Sequence, residues 1–235
     1  MHFDRNDHTV TSLPRLNEPA PYFDAETTHG RRTLEDYAGR WLLLFSHPAD
    51  FTPVCTSEFV ALARAGADFA ALDCDLLGLS VDSAYAHIAW LRSIKESFGV
   101  EVDFPVIEDV SLRVAAAYGM VHPGESDTSA VRAAFVIDPD GMLRALSYYP
   151  MTVGRSVAEL VRLVAALRTS AETGLATPEG WQPGDEAVEP PPRTLAEASL
   201  RVLDSQAAPD WYFKRRAVAE PRATYDAQTD NTRDS

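Results

Sequence analysis

The run Trp41-Leu42-Leu43-Leu44-Phe45-Ser46, stopped by His47-Pro48, restricts the fold more than any other part of the chain. A short apolar run of this kind, bounded by a breaker, reads as a buried strand. From Cys55 the pattern changes: Phe59, Leu62, Gly66 and Phe69 fall on one face at a period of 3.6, which predicts a helix. A strand that ends in a Pro-rich loop and re-enters as a helix is the opening of an α/β layer. Leu76 to Val81 supplies a second apolar run of strand length. Asp82 or Ser83 then caps a helix whose inner face is expected at Ile88, Leu91, Ile94 and Phe98, closed by Gly99.

A short strand around Phe104 to Ile107 and a short helix ending near Gly119 follow. Val131 to Asp138 and Met142 to Tyr149 flank Pro139-Asp140-Gly141, whose turn chemistry predicts a β-hairpin. Val157, Leu160, Val161, Val164 and Leu167 repeat at i, i+3, i+4 and i+7, an amphipathic helix. The order β-α-β then β-β-α is the thioredoxin-like arrangement, an α/β fold with a mixed central sheet. Two domains are expected, residues 1–170 and a C-terminal extension of residues 171–235. Pro178, Pro183 and Pro190-Pro191-Pro192 stiffen the connection, Thr194 to Leu203 has helical spacing, and the last ten residues are polar and expected to be mobile. Residues 1–20 are a polar lead-in.

Lys and Arg total 21 against 35 Asp and Glu, a formal net charge of −14, which argues against nucleic acid or an anionic membrane as partner. No apolar run approaches the roughly 20 residues of a membrane span, and the N-terminus lacks the apolar core of a signal peptide. With Cys55 and Cys74 as the only cysteines, there is no disulfide framework. A cytoplasmic location is expected.

The chemistry concentrates at Pro48-Ala49-Asp50-Phe51-Thr52-Pro53-Val54-Cys55. Free N–H groups and the positive dipole end at a helix start stabilise a thiolate over a thiol. Cys-x-x-Cys redox motifs sit where a strand meets a helix. Here Thr52 replaces the first sulfur, so dithiol exchange within the motif is impossible. A hydroxyl that both donates and accepts suits a small oxygen substrate beside the sulfur.

At these residues the chain resembles the peroxiredoxins. Their motif Pro-x-x-x-Thr/Ser-x-x-Cys is matched by Pro48, Thr52 and Cys55, and a His before that Pro is similar to the 1-Cys, peroxiredoxin-6-type subgroup. The match runs on through Gly78 to Ser83, Val131 to Asp138, Tyr149 to Arg155 and Trp181 to Asp185, covering about residues 15 to 215. The resemblance implies a thiol-dependent peroxidase acting on hydrogen peroxide and organic hydroperoxides. Cys55 would form a sulfenic acid, Thr52 would orient the peroxide, Pro48 would shield the sulfur, and Arg132 would stabilise the thiolate and the departing oxygen. Arg155 matches a second family arginine, and Glu58 would hold both guanidiniums. The alternation along 131–137 leaves the face of Arg132 undecided, and Arg155 has the competing reading of an ordinary first-turn residue of the next helix. His47 has two readings: a loop histidine bonded to the backbone, or a neighbour of the sulfur that polarises it or shapes the pocket. No cofactor is implied. A metal site is disfavoured because the other histidines are dispersed in sequence.

The chain departs from many relatives in having no cysteine after Cys74. Cys74, at the start of a buried strand, reads as structural rather than resolving, so the sulfenic acid needs an external thiol: thioredoxin, glutathione or another. A lipid hydrolase reading, which some relatives carry on a Gly-x-Ser-x-Gly-like serine, fails here because Arg40 occupies that place in Ala38-Gly39-Arg40-Trp41. The Pro-rich arm with Trp181, Trp211, Tyr212 and Phe213 suits contact with a second copy, so a homodimer is expected, with closure into a decamer left open. A holdase, binding module or redox sensor of the same fold is the alternative function.

Overall fold

In the computed structural model, which describes residues 13–204 and 210–218, residues 13–164 form one compact unit. A two-stranded antiparallel pair, β1 (Asp24–Ala25) and β2 (Arg32–Thr33), leads into a 3-10 turn at Leu34–Tyr37. Then come β3 (Trp41–Ser46), α1 (Pro53–Arg64), α2 (Gly66–Ala71), β4 (Cys74–Ser80) and α3 (Ala84–Phe98). They are followed by β5 (Val106–Glu108), α4 (Arg113–Ala117), β6 (Arg132–Ile137), β7 (Leu143–Tyr149) and α5 (Val157–Thr173). The five-stranded sheet has the order β5-β4-β3-β6-β7, parallel on the β4 side of β3 and antiparallel on the β6 side. This is the thioredoxin-like mixed sheet.

All six residues of β3 are buried, as expected of a central strand covered on both faces. Leu42 and Leu44 join Leu77, Leu79, Phe135, Ile137 and Tyr118 in one cluster. On the other face the Phe45 ring meets Phe59 of α1 and Phe104, with centroids 5.6 Å away in each case. The register settles the face of Arg132. Phe45 pairs with Ala134 and Leu43 with Val136, so Arg132, two residues before Ala134, lies on the face that α1 covers.

Two expectations are corrected. The helix expected from Cys55 through Phe69 starts at Pro53 and breaks in two. Ala65 sits at φ −86°, ψ 5°, and the poor helix former Gly66 begins α2. Phe59, Leu62 and Phe69 are nevertheless buried together. The inner face of α3 is His87, Trp90 and Ile94; Ile88 and Phe98 are about half exposed, at 46% and 53%. A pattern read from apolar residues alone rotates the helix wrongly, because His87 is drawn inward by hydrogen bonds to buried partners. Ser83 is the cap, its Oγ accepting the Ala86 N–H, and Gly99 closes the helix at φ 64°, a left-handed conformation suited to glycine.

The second unit, whose described residues run from 165 to 204 and 210 to 218, holds the end of α5, β8 (Ala187–Val188) and α6 (Leu195–Asp204). Its β9 (Arg215–Arg216) pairs antiparallel with β8. Leu195, Leu200, Val202 and Leu203 of α6 are exposed. The first twelve residues of the lead-in and the polar last ten residues lie outside the described residues.

Ser46 ties the end of β3 to β6: its Oγ donates to the Val131 carbonyl at 2.6 Å and accepts the Ala133 N–H at 3.1 Å, fully buried. Ser46→Ala leaves both backbone groups short of a partner and is expected to lower stability by about 1–3 kcal/mol, measured by urea unfolding.

Candidate functional site

His47 to Thr52 turn the chain from the end of β3 into α1. The His47 N–H still bonds the Leu79 carbonyl, extending the sheet by one residue. Asp50 is buried, and its N–H donates to Asp82 Oδ2 at 2.9 Å. Phe51 adopts φ 56°, the left-handed region that a bulky side chain rarely occupies. Thr52 is extended and stands as the N-cap residue, but its hydroxyl does not cap: Oγ1 donates to the Ala49 carbonyl at 2.9 Å. Pro53 takes the first helical position, where its missing N–H costs nothing. The helical ladder begins with Thr56 N–H on the Thr52 carbonyl. The N–H groups of Val54 and Cys55 therefore stand at the mouth of α1, ahead of that ladder.

Cys55 is fully buried in this first turn. Arg132 Nη1 donates to its Sγ at 3.3 Å and to Glu58 Oε2 at 2.8 Å, while Arg132 Nε holds the Met151 carbonyl at 2.8 Å. Glu58, one turn after Cys55, also receives Arg155: Nε on Oε1 at 2.9 Å, Nη2 on Oε2 at 2.8 Å and the backbone N–H on Oε1 at 2.7 Å. Arg155 precedes α5 rather than belonging to its first turn, is buried, and lies 5.5 Å over the Phe45 ring. The 150s loop touches α1 closely here; a Cβ on Gly154 would come within 3.3 Å of Val54 Cγ1. Burial pushes the Glu58 carboxyl up, but its bonds to Arg155 and the charge of Arg132 outweigh that and hold it below the usual carboxylate range. Two guanidiniums thus share one carboxylate. The positive charge left over faces the sulfur.

The structure brings Cys55, Arg132, Glu58 and Arg155 into one bonded group, with Thr52 and buried Pro48 in the loop that leads to it. His47 is fully buried, and its ring bonds Asp50 Oδ1 through Nε2 at 2.8 Å rather than the backbone. Among the described residues, its buried Nδ1 has no hydrogen-bond partner. Burial holds the ring below its ordinary pKa, against the pull of Asp50, so it is neutral at pH 7. Asp50 and His87 went unrecognised in the sequence. His87 Nδ1 lies 2.8 Å from Asp50 Oδ2 and its Nε2 3.1 Å from the Ile107 carbonyl. The expectation that the histidines are dispersed is therefore corrected: His47, Asp50 and His87 place three ligand-type atoms within 4.8 Å of one another. In this arrangement each ring turns a nitrogen to the carboxylate in a hydrogen bond. The one sequence signal for His87 was its spacing with Trp90 and Ile94.

Cys74 lies at the far end of the sheet, paired with Trp41, whereas Cys55 lies beyond Ser46. Five strand residues at about 3.3 Å each put about 16 Å between those levels. A disulfide spans roughly 7 Å at most between Cα atoms. Burial and the neighbouring Asp75 push the Cys74 thiol up to about 12, so it stays protonated. Arg40, where a hydrolase serine would stand, is bound bidentately by Asp75 at 2.8 Å.

A family model described as the AhpC/TSA family matches residues 16–146, and one described as the C-terminal domain of 1-Cys peroxiredoxin matches residues 166–205. A peroxiredoxin of Aquifex aeolicus is 49% identical over 220 residues, covering 89% of this chain and 99% of its own. Among solved structures, a cysteine-to-serine mutant of peroxiredoxin 6 from Arenicola marina is 33% identical with a TM-score of 0.78, covering 88% of this chain and 99% of its own. A yeast mitochondrial 1-Cys peroxiredoxin, whose thiol is resolved through glutathione and thioredoxin systems, is 38% identical with a TM-score of 0.76, covering 87% and 100%.

Glu58→Gln leaves two buried guanidiniums with too little negative charge and is expected to cost about 3–5 kcal/mol at pH 7. Because the folded-state pKa of Glu58 lies below its unfolded value, its contribution is full above the usual carboxylate range and is lost as pH falls through the lowered value. Stability measured against pH below about 4.3 should fall less steeply in the variant than in the native chain.

Proposed function

Since the chain belongs to the peroxiredoxins of the AhpC/TSA family and is a thiol-dependent peroxidase, we propose that Cys55 is the sulfur that attacks the peroxide and that it works by a 1-Cys mechanism. The observation that carries this reading is the Cys55 sulfur at the N-terminus of α1, 3.3 Å from a guanidinium whose charge Glu58 only half offsets. A thiolate there completes a neutral group with Glu58, Arg132 and Arg155. With its proton committed to the Ala49 carbonyl, Thr52 Oγ1 offers lone pairs to the O–H of an incoming hydroperoxide. The N–H groups of Val54 and Cys55 point where the peroxide oxygens would lie. Pro48 keeps bulk water from the sulfur.

In the reaction, the thiolate attacks one oxygen of ROOH and the S–O bond forms as the O–O bond breaks. The departing RO⁻ carries the electron pair, is stabilised by Arg132, and takes a proton to leave as ROH. An external thiol then attacks the sulfenic sulfur, releasing water and leaving a mixed disulfide. A second thiol returns Cys55 to the reduced state. The distance to Cys74 supports an external reductant. Glutathione and thioredoxin are the first candidates, since both serve the yeast relative. Hydrogen peroxide and organic hydroperoxides are the proposed substrates, and a cytoplasmic setting fits two free cysteines.

We further propose that two copies associate through the C-terminal unit, where the exposed Leu195, Leu200 and Leu203 of α6 give an apolar surface. Light scattering of the native chain should give the mass of a dimer or of a ring of dimers, and Leu200→Glu with Leu203→Glu should lower it.

Stopped-flow Trp fluorescence with one equivalent of hydrogen peroxide, followed by intact-mass analysis, tests the mechanism. A fast phase is expected in the native chain and in Cys74→Ser, with a mass gain of oxygen and no internal disulfide. Cys55→Ser should lack the phase entirely. No fast phase in the fully reduced native chain would instead favour a holdase or binding module of the same fold.

A further inference from the structure

We propose that His87, which contributes no group to the peroxide pocket, is a positioning residue: it anchors Asp50 and thereby holds the left-handed turn at Phe51 that delivers Thr52 to the mouth of α1. The inference rests on the reading of Thr52 as a peroxide-binding group. Phe51 pays a steric penalty at φ 56°, and the residue is 61% exposed, so packing covers less than half of it. Such a conformation persists only where the surroundings over-determine it. Its neighbour Thr52 is tied only within the loop and helix it joins, to Ala49 through Oγ1 and to Thr56 of α1 through its carbonyl. The restraint from outside the loop and α1 therefore enters through Asp50.

Asp50 is held at three points. His47 Nε2 meets Oδ1 at 2.8 Å, but His47 belongs to the same loop. The Asp50 N–H meets Asp82 Oδ2 at 2.9 Å, and Asp82 is itself fixed by Ser80 Oγ at 2.8 Å. The third tether, His87 Nδ1 on Oδ2, comes from α3. The far side of that ring is bolted to β5 through Nε2 and the Ile107 carbonyl. One turn on, Trp90 Nε1 donates to Thr56 Oγ1 at 3.2 Å, and Thr56 Oγ1 donates to the Thr52 carbonyl at 2.8 Å. The frame that holds Asp50 thus also holds the start of α1. A carbonyl only accepts, so Nε2 carries a proton, and a second proton lies between Nδ1 and Oδ2. Whichever atom carries that second proton, the contact is a hydrogen bond inside a buried pair.

The two amide substitutions at His87 separate the two bonds. Asn places a donor near the position of Nδ1 and keeps the link to Asp50. Gln places one near Nε2 and keeps only the link to Ile107. In single-turnover reactions of the full-length chain with hydrogen peroxide, His87→Gln should react about tenfold more slowly or worse, while His87→Asn stays close to the native rate. Adding Phe51→Asn to His87→Gln should recover most of the loss, since Asn tolerates the left-handed conformation. A native rate in His87→Gln overturns the proposal. So does an equal loss in both amide variants with no recovery from Phe51→Asn, the pattern expected if His87 only stabilises the core. Should the His87 variants not fold, Asp50→Ala removes the carboxylate through which His87 acts, and an unchanged rate there overturns the proposal. Thr52→Val in the same assay separates the two layers. If it too reacts at the native rate, the reading of Thr52 fails; if it is slow while His87→Gln is not, only the positioning role fails.

Discussion

One carboxylate holds the Cys55 end of the sheet together. Glu58 receives Arg155 through two side-chain nitrogens and a backbone N–H, and Arg132 through a third guanidinium nitrogen. Two buried cations without it would repel each other and face an apolar interior, at a cost of several kcal/mol per ion. With it they form a rigid fork, one prong of which reaches the sulfur. The arrangement is under-neutralised by one charge, and the sulfur is the group placed to supply it. The electrostatics that keep the core intact therefore also favour negative charge on the Cys55 sulfur.

That fork depends on backbone pairing far from the sulfur. Arg132 reaches α1 because Phe45 and Ala134 pair in register, and Ser46 pins β3 to β6 just beyond that pair. A slip of one residue would turn Arg132 to the opposite face and leave an alanine opposite Glu58. Arg155 is held by the Ala133 carbonyl as well as by Glu58, so the 150s loop is fastened to the same strand. The sheet register and the geometry of the site are one constraint seen at two places.

The parts legible in the sequence were those written in short stretches. The strand at Trp41–Ser46, the hairpin around Pro139-Asp140-Gly141 and the Pro-Thr-Cys turn each depend on neighbours a few residues away. The face of Arg132 was not legible, because alternation gives two faces without saying which one a helix covers. His87 was hidden by Ile88, an apolar neighbour that draws the eye to the wrong side of α3 yet is nearly half exposed. Asp50 reads as a solvated loop carboxylate until His87, 37 residues on, is folded against it. Polar groups buried by mutual bonding leave no apolar pattern, and this site is built from such groups.

The separation along the chain has a consequence for the protein while it is being made. Cys55 and the guanidinium that meets its sulfur lie 77 residues apart. A ribosome working from the N-terminus exposes the cysteine well before β6 exists, and with no Arg132 and no ordered Glu58 beside it the sulfur is an ordinary thiol. On the role proposed for Cys55, the arrangement that favours its reaction exists only once the sheet closes. On the same proposal, nascent and unfolded chains are spared rapid attack by the oxidant that the finished protein consumes.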